Sequence, residues 1–245
     1  MRVSVVVPAY NEEVLLPACL AALRVQDFAG DVEIIVVDNA STDRTAEAAR
    51  SHGVIVLEEP ERGYCRALIR GFEAATGEVI ACTDADTVVP PDWISRLVRE
   101  YARRPEAVAI GGHVEFTRRN WKCRLLTRLV LPVFNRIDRS NPDGPHLWGA
   151  NFSVRRDAFR EVGGWNPRFS LQADSELSVR LRKVGRVVLL DSLTVHTSSR
   201  RWNQSLLLNG FIYASNWFWF KFFSVPLYTD FPTVRCAQAE DRLEA

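Results

Sequence analysis

GEVIACTDADTVVPPDW, residues 77–93, joins a buried strand to a polar turn. Val79 to Cys82 is a continuous apolar run of strand length, and it stops at Thr83. Asp84 and Asp86 follow one residue apart. Pro90 and Pro91 then forbid a continued strand and offer a start for a helix. A strand end is a rigid mount, and alternate carboxylates on it can share a hard cation such as Mg²⁺ or Mn²⁺, which takes oxygen ligands. A D-x-D is expected about once by chance in a chain of this Asp content, so the motif alone leaves a second account open, in which both Asp residues cap the next helix.

Upstream the strand-then-helix pattern recurs. Val3 to Val7 is a β-branched run ending at Pro8, and a helix follows from about Pro17 to Val25. Val32 to Val37 is a second such strand, closed by Asp38, and Ser41 and Asp43 are candidate caps for a helix that stops at Gly53. Val54 to Leu57 is a short third strand, and Gly63 to Ala75 a third helix, ended by Gly77. This alternation predicts an α/β, Rossmann-like fold: a doubly wound, mostly parallel central sheet with helices on both faces. In such sheets ligands sit beyond the carboxyl ends of the strands. Those ends carry Pro8-Ala9-Tyr10-Asn11-Glu12, Asp38-Asn39 and Asp84-Ala85-Asp86, which gathers polar chemistry along one edge.

Downstream the pattern is less regular. Pro91 to Arg103 reads as a helix, Val108 to Phe116 as a strand, and Trp121 to Ile137 as an amphipathic helix. A loop with Pro and Gly, Ser140 to Gly149, leads to a short strand at Asn151 to Val154. Leu177, Leu181 and Val184 define one face of a helix over Asp174 to Val184, and Arg186 to Leu190 returns as a strand. Leu206 to Tyr228, LLLNGFIYASNWFWFKFFSVPLY, is long enough to span a bilayer, but Asn209, Asn216 and Lys221 interrupt it and Pro226 closes it. Its Trp, Phe and Tyr content suits a membrane interface, and equally a helix packed on the domain or on a partner subunit. The expected organisation is a domain over 1–202 and an aromatic helical segment with its tail over 203–245.

Composition narrows the classes. The 245 residues are 47% apolar and a quarter charged, enough for a sizeable core in one large domain. A net charge of +1 gives no electrostatic argument for nucleic acid as a partner. Cys19, Cys65, Cys82, Cys123 and Cys236 are scattered and never in C-x-x-C spacing, so buried thiols in a reducing compartment are expected rather than disulfides or zinc. The chain enters a strand at Arg2 with no charged and apolar leader pattern, so no signal peptide is expected. A cytoplasmic location follows, with peripheral contact to the cytoplasmic face of the membrane if the aromatic segment is interfacial.

Five segments in order, VSVVVPAYNEE (3–13), IIVVDNASTDRT (34–45), GEVIACTDADTVVPPDW, LWGANFSVRRDAF (147–159) and ADSELSVRLRKVGR (173–186), resemble the successive signatures of the family 2 glycosyltransferases of the GT-A fold. The resemblance covers about residues 1 to 200. It implies transfer of a sugar from a nucleoside-diphosphate-sugar donor, with inversion, to a hydroxyl of a glycan or lipid-linked acceptor, assisted by Mg²⁺ or Mn²⁺. A polyprenyl phosphate as acceptor is the alternative. A nucleotidyltransferase is a further one, although the first turn lacks the Gly-rich basic loop that such an enzyme wants. A nucleotide-binding regulatory module is the non-enzymatic rival.

The residues supply matching chemistry. Asp38 is acceptor-only and suits the N–H edge of a uracil or guanine base, while helix capping is the other account of Asp38 and Glu12. By resemblance the turn Pro8, Ala9, Tyr10 and Glu12 holds base and ribose, Asp84 and Ala85 face the ribose and metal, and Asp86 ligates the metal. His196, in TVHTSSRRW, matches a third ligand of some relatives. Arg66 is placed to meet the diphosphate or to sit on a solvated helix face; family members often carry Arg-Asn nearby, where this chain has Leu68 and Ile69. Arg200 and Arg201 are candidates to close over the diphosphate, and Trp202 to stack on the acceptor. Ser198 stands where processive members carry Gln. Asp174 matches the second residue of the family's acidic pair, with Ala173 in place of the first and Glu176 the next carboxylate, and it is the candidate general base. Trp148, Gly149, Ala150 and Asn151 resemble the acceptor-side turn.

Overall fold

The computed structural model describes residues 1–117, 136, 146–200, 210–212, 215, 216, 218, 219 and 227. The elements in chain order are β1 (Val3–Ala9), α1 (Leu16–Arg24), β2 (Val32–Asp38), α2 (Thr45–Ser51), β3 (Ile55–Glu58), α3 (Tyr64–Ala74), β4 (Val79–Cys82), β5 (Thr87–Val88), α4 (Trp93–Arg103), β6 (Ala107–Phe116), β7 (Phe152–Arg155), α5 (Arg156–Glu161), α6 (Ala173–Leu181) and β8 (Arg186–Thr197). They build one eight-stranded sheet in the order β3-β2-β1-β4-β7-β6-β8-β5. The helix expected over Trp121 to Ile137 falls on residues that, apart from Arg136, lie outside those described.

The first four strands pair in parallel, as the alternation predicted. The second half differs. β7 runs antiparallel between β4 and β6, and β5 runs antiparallel to β8, while β6 and β8 are parallel, so the sheet is mixed. Alternation along β1 sends Val3, Val5 and Val7 into a core shared with α1 and α4, and Val6 into a second core shared with α3, α5 and α6. The helices obey the same logic: Cys65, Leu68 and Phe72 form the buried stripe of α3, and Trp93, Ile94, Leu97 and Tyr101 that of α4. Pro8 stays within β1, because pairing with β4 ends at Val6–Cys82 and only the β2 ladder continues past it.

β8 runs seven residues beyond the expected stop at Leu190. Its register with β6 jumps from Gly112–Leu190 to His113–Thr194, so the polar pair Asp191-Ser192 loops outward and the fully buried Leu193 returns to the core. Gly112 makes that jump possible. A Cβ there would lie 2.1 Å from the carbonyl oxygen of Leu193 and 2.6 Å from Nδ2 of Asn151. Gly112→Ala is expected to lower the unfolding free energy by about 3 kcal/mol, the upper end for overpacking, in urea denaturation.

At the amino end of β2, Glu33 is buried among donors. Ser4 Oγ and Thr76 Oγ1 donate to its Oε1, the latter at 2.8 Å, as does the Thr76 N–H at 2.7 Å, and Arg2 reaches Oε2 at 3.0 Å. Burial alone would raise this carboxyl, but the Ser4 and Thr76 hydrogen bonds and the Arg2 charge outweigh it and hold Glu33 below the usual Glu range. A depressed folded value means stability that is present above the unfolded value, near 4.5, and is lost as pH falls through the folded one. Equilibrium unfolding from pH 7 downward is therefore expected to show a loss of stability below about pH 4.5 that is reduced in Glu33→Gln.

Candidate active site at the carboxyl edge of the sheet

Neighbouring strands are spaced by about 4.8 Å, so β2, β1, β4 and β7 spread their edge residues over roughly 14 Å. Asp38, the Pro8–Glu12 turn, the Asp84–Asp86 turn and the Trp148–Asn151 turn follow one another along that line. The order comes from topology alone.

At the β2 end, Asp38 is buried and its Oδ1 has no hydrogen-bond partner among the described residues. An orphaned buried acceptor calls for a donor from outside the chain. Asn39, beside it, is buried and pins the next loop: its Nδ2 donates to the Glu61 carbonyl at 2.9 Å, and its Oδ1 accepts from Gly63 N–H at 2.7 Å. The β1 and β2 loops are sewn together. Asn11 N–H donates to Ser41 Oγ at 3.0 Å, Thr42 N–H to Asn11 Oδ1 at 2.8 Å, and Glu12 N–H to Thr45 Oγ1 at 2.7 Å. Asn11 and Ala40 both adopt positive φ, near 55°, to make this fit. The Arg62 guanidinium lies over the Tyr10 ring, 4.2 Å from its centroid. Pro8 and Ala9 are buried in the strand beneath. Arg66 is exposed and pairs with Glu61 at 2.8 Å, on the outer side of the same loop.

At the β4 end, Ala85 is buried in the core while Asp84 and Asp86 on either side stay half-buried at the edge. Tyr64 Oη donates to Asp84 Oδ1 at 3.0 Å. Thr197 Oγ1 donates to Asp86 Oδ1 at 3.2 Å, and Arg200 Nη2 lies 3.3 Å from Asp86 Oδ2. Arg200 also forks onto both oxygens of Glu12, with Nη1 2.9 Å from Oε2 and Nη2 on Oε1. Burial pushes the Glu12 carboxyl up to about 7, Arg200 opposes that, and the charges of Asp86 and Asp84 add to it. Four charged groups thus crowd one spot. The fully buried Thr83 Oγ1, at the strand end, has no partner among the described residues.

His196 does not join them. Strand alternation points the buried Thr197 at Asp86 and turns the exposed His196 the other way, where its Nδ1 lies 3.9 Å from Glu115. Among the described residues no group of three or more His, Cys, Asp or Glu gathers around a metal-sized space. Two half-buried carboxylates at a site that a diphosphate can complete are the donor set of a magnesium-type ion, which is typically held by one or two carboxylates plus phosphate oxygens and water. The residues present fit such a cation, which Asp84 and Asp86 would hold.

At the β7 end, Asp174 sits in the first turn of α6, preceded by Gln172 in the left-handed conformation (φ 60°). Gly149 N–H donates to Asp174 Oδ2 at 2.7 Å and Ser175 N–H to Oδ1 at 2.8 Å. Burial raises the Asp174 carboxyl, and these two N–H groups and His146 oppose the rise without cancelling it. A Cβ on Gly149 would lie 3.1 Å from Tyr64 Oη and 3.5 Å from Asp174 Oδ2, so this turn, the Tyr64 hydroxyl and Asp174 are packed together. Burial, Asp84 and Asp174 all raise the Tyr64 hydroxyl, which stays protonated and donating.

Two residues of the expected set are structural. Asn151 is fully buried: its Nδ2 donates to the carbonyls of His113 (2.8 Å) and Leu193 (3.1 Å), and its Oδ1 accepts from Trp93 Nε1 at 2.8 Å. It lies under the site. Trp148 and Ala150 shape the turn above it, Trp148 through a bridge to Asn151. Glu176 is buried and spends both oxygens on Arg180, at 2.7 and 2.6 Å, which in turn donates to the Val162 and Gly164 carbonyls. Arg201 and Trp202 lie outside the described residues. Tyr64 and Thr197 are edge residues that sequence reasoning missed. The Tyr directly after Gly63 is the only signal, and it is a faint one.

Of the expected unit over 203–245, few residues are described. Ile212 and Asn216 are buried, and Asn216 Nδ2 donates to Gln172 Oε1 at 3.1 Å, next to the helix that carries Asp174. Phe211, Phe218 and Trp219 are exposed. Among the described residues no helix is long and apolar enough to cross a membrane.

Known proteins of similar sequence and fold are glycosyltransferases. The chain is 30% identical over 201 residues to the probable glycosyltransferase YdaM of Bacillus subtilis, covering 75% of this chain and 47% of that one. It is 30% identical over 200 residues to the glucosyl-dolichyl phosphate glucuronosyltransferase of Haloferax volcanii, covering 72% and 60%. The mannosyltransferase PcManGT from Pyrobaculum calidifontis, solved in complex with GDP-Man and Mn²⁺, superposes with a TM-score of 0.65 at 26% identity, covering 80% and 56%. The chain spans about half to three-fifths of the length of each of these three. The GT-A architecture is shared with that neighbour and with structures of Staphylococcus aureus TarS. Since the profile described as Glycosyl transferase family 2 also matches residues 4–163, about two-thirds of the sequence, the chain belongs to that family.

Proposed function

We propose that the chain is an inverting glycosyltransferase that moves a sugar from a nucleoside-diphosphate-sugar to a hydroxyl of a glycan or lipid-linked acceptor. One observation carries the reading: an orphaned buried acceptor at Asp38 and a cation-suited pair at Asp84 and Asp86 follow one another along one sheet edge, and the turn next in line is bonded through Gly149 to Asp174, a carboxylate raised by burial. The span of roughly 14 Å suits base, diphosphate and sugar laid end to end. The solved neighbour's GDP-Man and Mn²⁺ support the same donor class and cation for this chain.

In this reading Asp38 accepts from the base, the Pro8–Glu12 turn flanks base and ribose, and Asp84 and Asp86 would hold the cation, through which the donor's diphosphate would be held. When bound, the cation supplies Lewis-acid neutralisation of the departing diphosphate. Arg200 contributes a second positive charge at the same place. Asp174 takes the proton of the acceptor hydroxyl as its oxygen attacks the anomeric carbon from the face opposite the leaving group. The new C–O bond forms as the bond to the diphosphate breaks, and the nucleoside diphosphate leaves with the electron pair. The domain would span 1–202, and the exposed Phe211, Phe218 and Trp219 suit peripheral contact with the cytoplasmic face of a membrane that carries a lipid-linked acceptor.

The donor half is tested by binding. Asp38→Ala is expected to weaken UDP or GDP binding in calorimetry by about 1.5–3 kcal/mol, the range for a hydrogen bond to a charged group, with an unchanged unfolding midpoint. Equal affinity with a lowered midpoint would return Asp38 to a capping role.

The transfer half is tested at Asp174. Asp174→Asn keeps the shape and one acceptor oxygen for the two N–H groups of Gly149 and Ser175, and it is expected to retain nucleotide affinity while losing kcat by roughly 10²–10⁴ in assays of nucleoside diphosphate release. Turnover close to wild type would sink the base assignment. It would then favour a polyprenyl phosphate acceptor, which is already ionised and needs no base.

A further inference from the structure

The fork of Arg200 on Glu12 and Asp86 joins residues 188 positions apart, and it is the densest ionic contact of the described edge. Glu12 and Asp86 are both largely sheltered from water, and Arg200 keeps only 21% of its side chain exposed. A guanidinium in that position does what a divalent cation would do: it neutralises Asp86 and relieves its repulsion with Asp84 and Glu12. It also competes for Asp86 Oδ2, the oxygen 3.3 Å from Nη2. Both cations cannot hold that oxygen with full strength.

We propose that Arg200 is a resident counter-cation for Asp86, which yields this carboxylate to the divalent ion only when the donor's diphosphate offers the guanidinium another anion. The proposal rests on the reading of Asp84 and Asp86 as cation ligands and adds a linkage to it. A diphosphate is a good exchange partner, because the planar fork binds phosphate oxygens bidentately as it binds carboxylates. Glu12 is the positioning residue in this scheme. It holds the other edge of the guanidinium, so that Arg200 stays at the site in both states. The ion and the nucleotide then load together, and the ion alone loads poorly.

The test reads Mn²⁺ binding rather than activity. Free Mn²⁺ is followed by electron paramagnetic resonance in titrations of the full chain, without nucleotide and then with UDP or GDP. Arg200→Gln is expected to bind Mn²⁺ alone roughly 5- to 100-fold more tightly than wild type, the usual span of a coupling between linked ligands, and to gain less from added nucleotide. Where Arg200→Gln is poorly folded by circular dichroism, Arg200→Lys replaces it: it keeps the charge but loses the fork onto Glu12, and it is expected to bind Mn²⁺ alone more tightly than wild type, by a smaller factor. Binding of Mn²⁺ alone by a folded Arg200→Lys that is equal to or weaker than wild type then overturns the proposal. Mn²⁺ affinity in a folded Arg200→Gln that is equal to or weaker than wild type overturns it as well. Asp86→Asn separates the two levels. If it abolishes Mn²⁺ binding while Arg200→Gln fails to tighten it, only the exchange is wrong; if Mn²⁺ binding survives Asp86→Asn, the cation site itself is misassigned and the exchange falls with it.

Discussion

One buried side-chain amide holds the two halves of the sheet in register. Asn151 sits at the start of β7, where the parallel half ends at β4 and the mixed half begins. Its three side-chain hydrogen bonds reach α4 through Trp93, β6 through His113 and β8 through Leu193. Its carbonyl accepts from Gly112 N–H and its own N–H donates to Trp148. An amide can satisfy all of these partners at once only because it has two donors and an acceptor at one end, which no aliphatic or carboxylate side chain of that size provides. The turn that carries Gly149 to Asp174 and the β8 segment that carries Thr197 to Asp86 both hang from this junction.

The edge so assembled is electrostatically demanding. Asp84, Asp86 and Glu12 repel one another in a half-dry setting, and Asp174 is desolvated a short distance away. Hydrogen bonds from Tyr64, Thr197, Gly149 and Ser175 and the charge of Arg200 keep the arrangement tolerable without saturating it. Unsaturated acceptors such as Asp38 Oδ1 are what a binding surface retains and a purely structural one removes.

Much of this was legible in the sequence, for reasons that differ from residue to residue. The β-branched runs at Val3, Val32 and Val79 and their polar stops located the strand ends, and with them Asp38, Asp84 and Asp86. The antiparallel insertion of β7 was not legible, because a short strand such as Phe152–Arg155 carries no directional signal. The side on which His196 stands was not legible, since the register shift over Asp191 to Leu193 resets the alternation of β8. Glu176 carried a readable warning: Arg180 follows four residues later, the spacing of a helical ion pair, and that pair consumes both carboxylate oxygens. Asn151 offered none, because a polar residue at a strand start is indistinguishable from a loop residue until its buried partners are known.

The position of β7 has a consequence for biogenesis. Chain growth delivers β1 to β4 first, and β4 then stands at the margin of the nascent sheet with one side of its backbone unpaired until β7, some seventy residues further on, docks against it. Open strand margins invite pairing with other chains, and contacts of such long sequence separation form slowly. The counter-charge for Glu12 arrives later still, with residue 200. A ribosome-bound amino-terminal half is therefore both incompletely paired and incompletely neutralised.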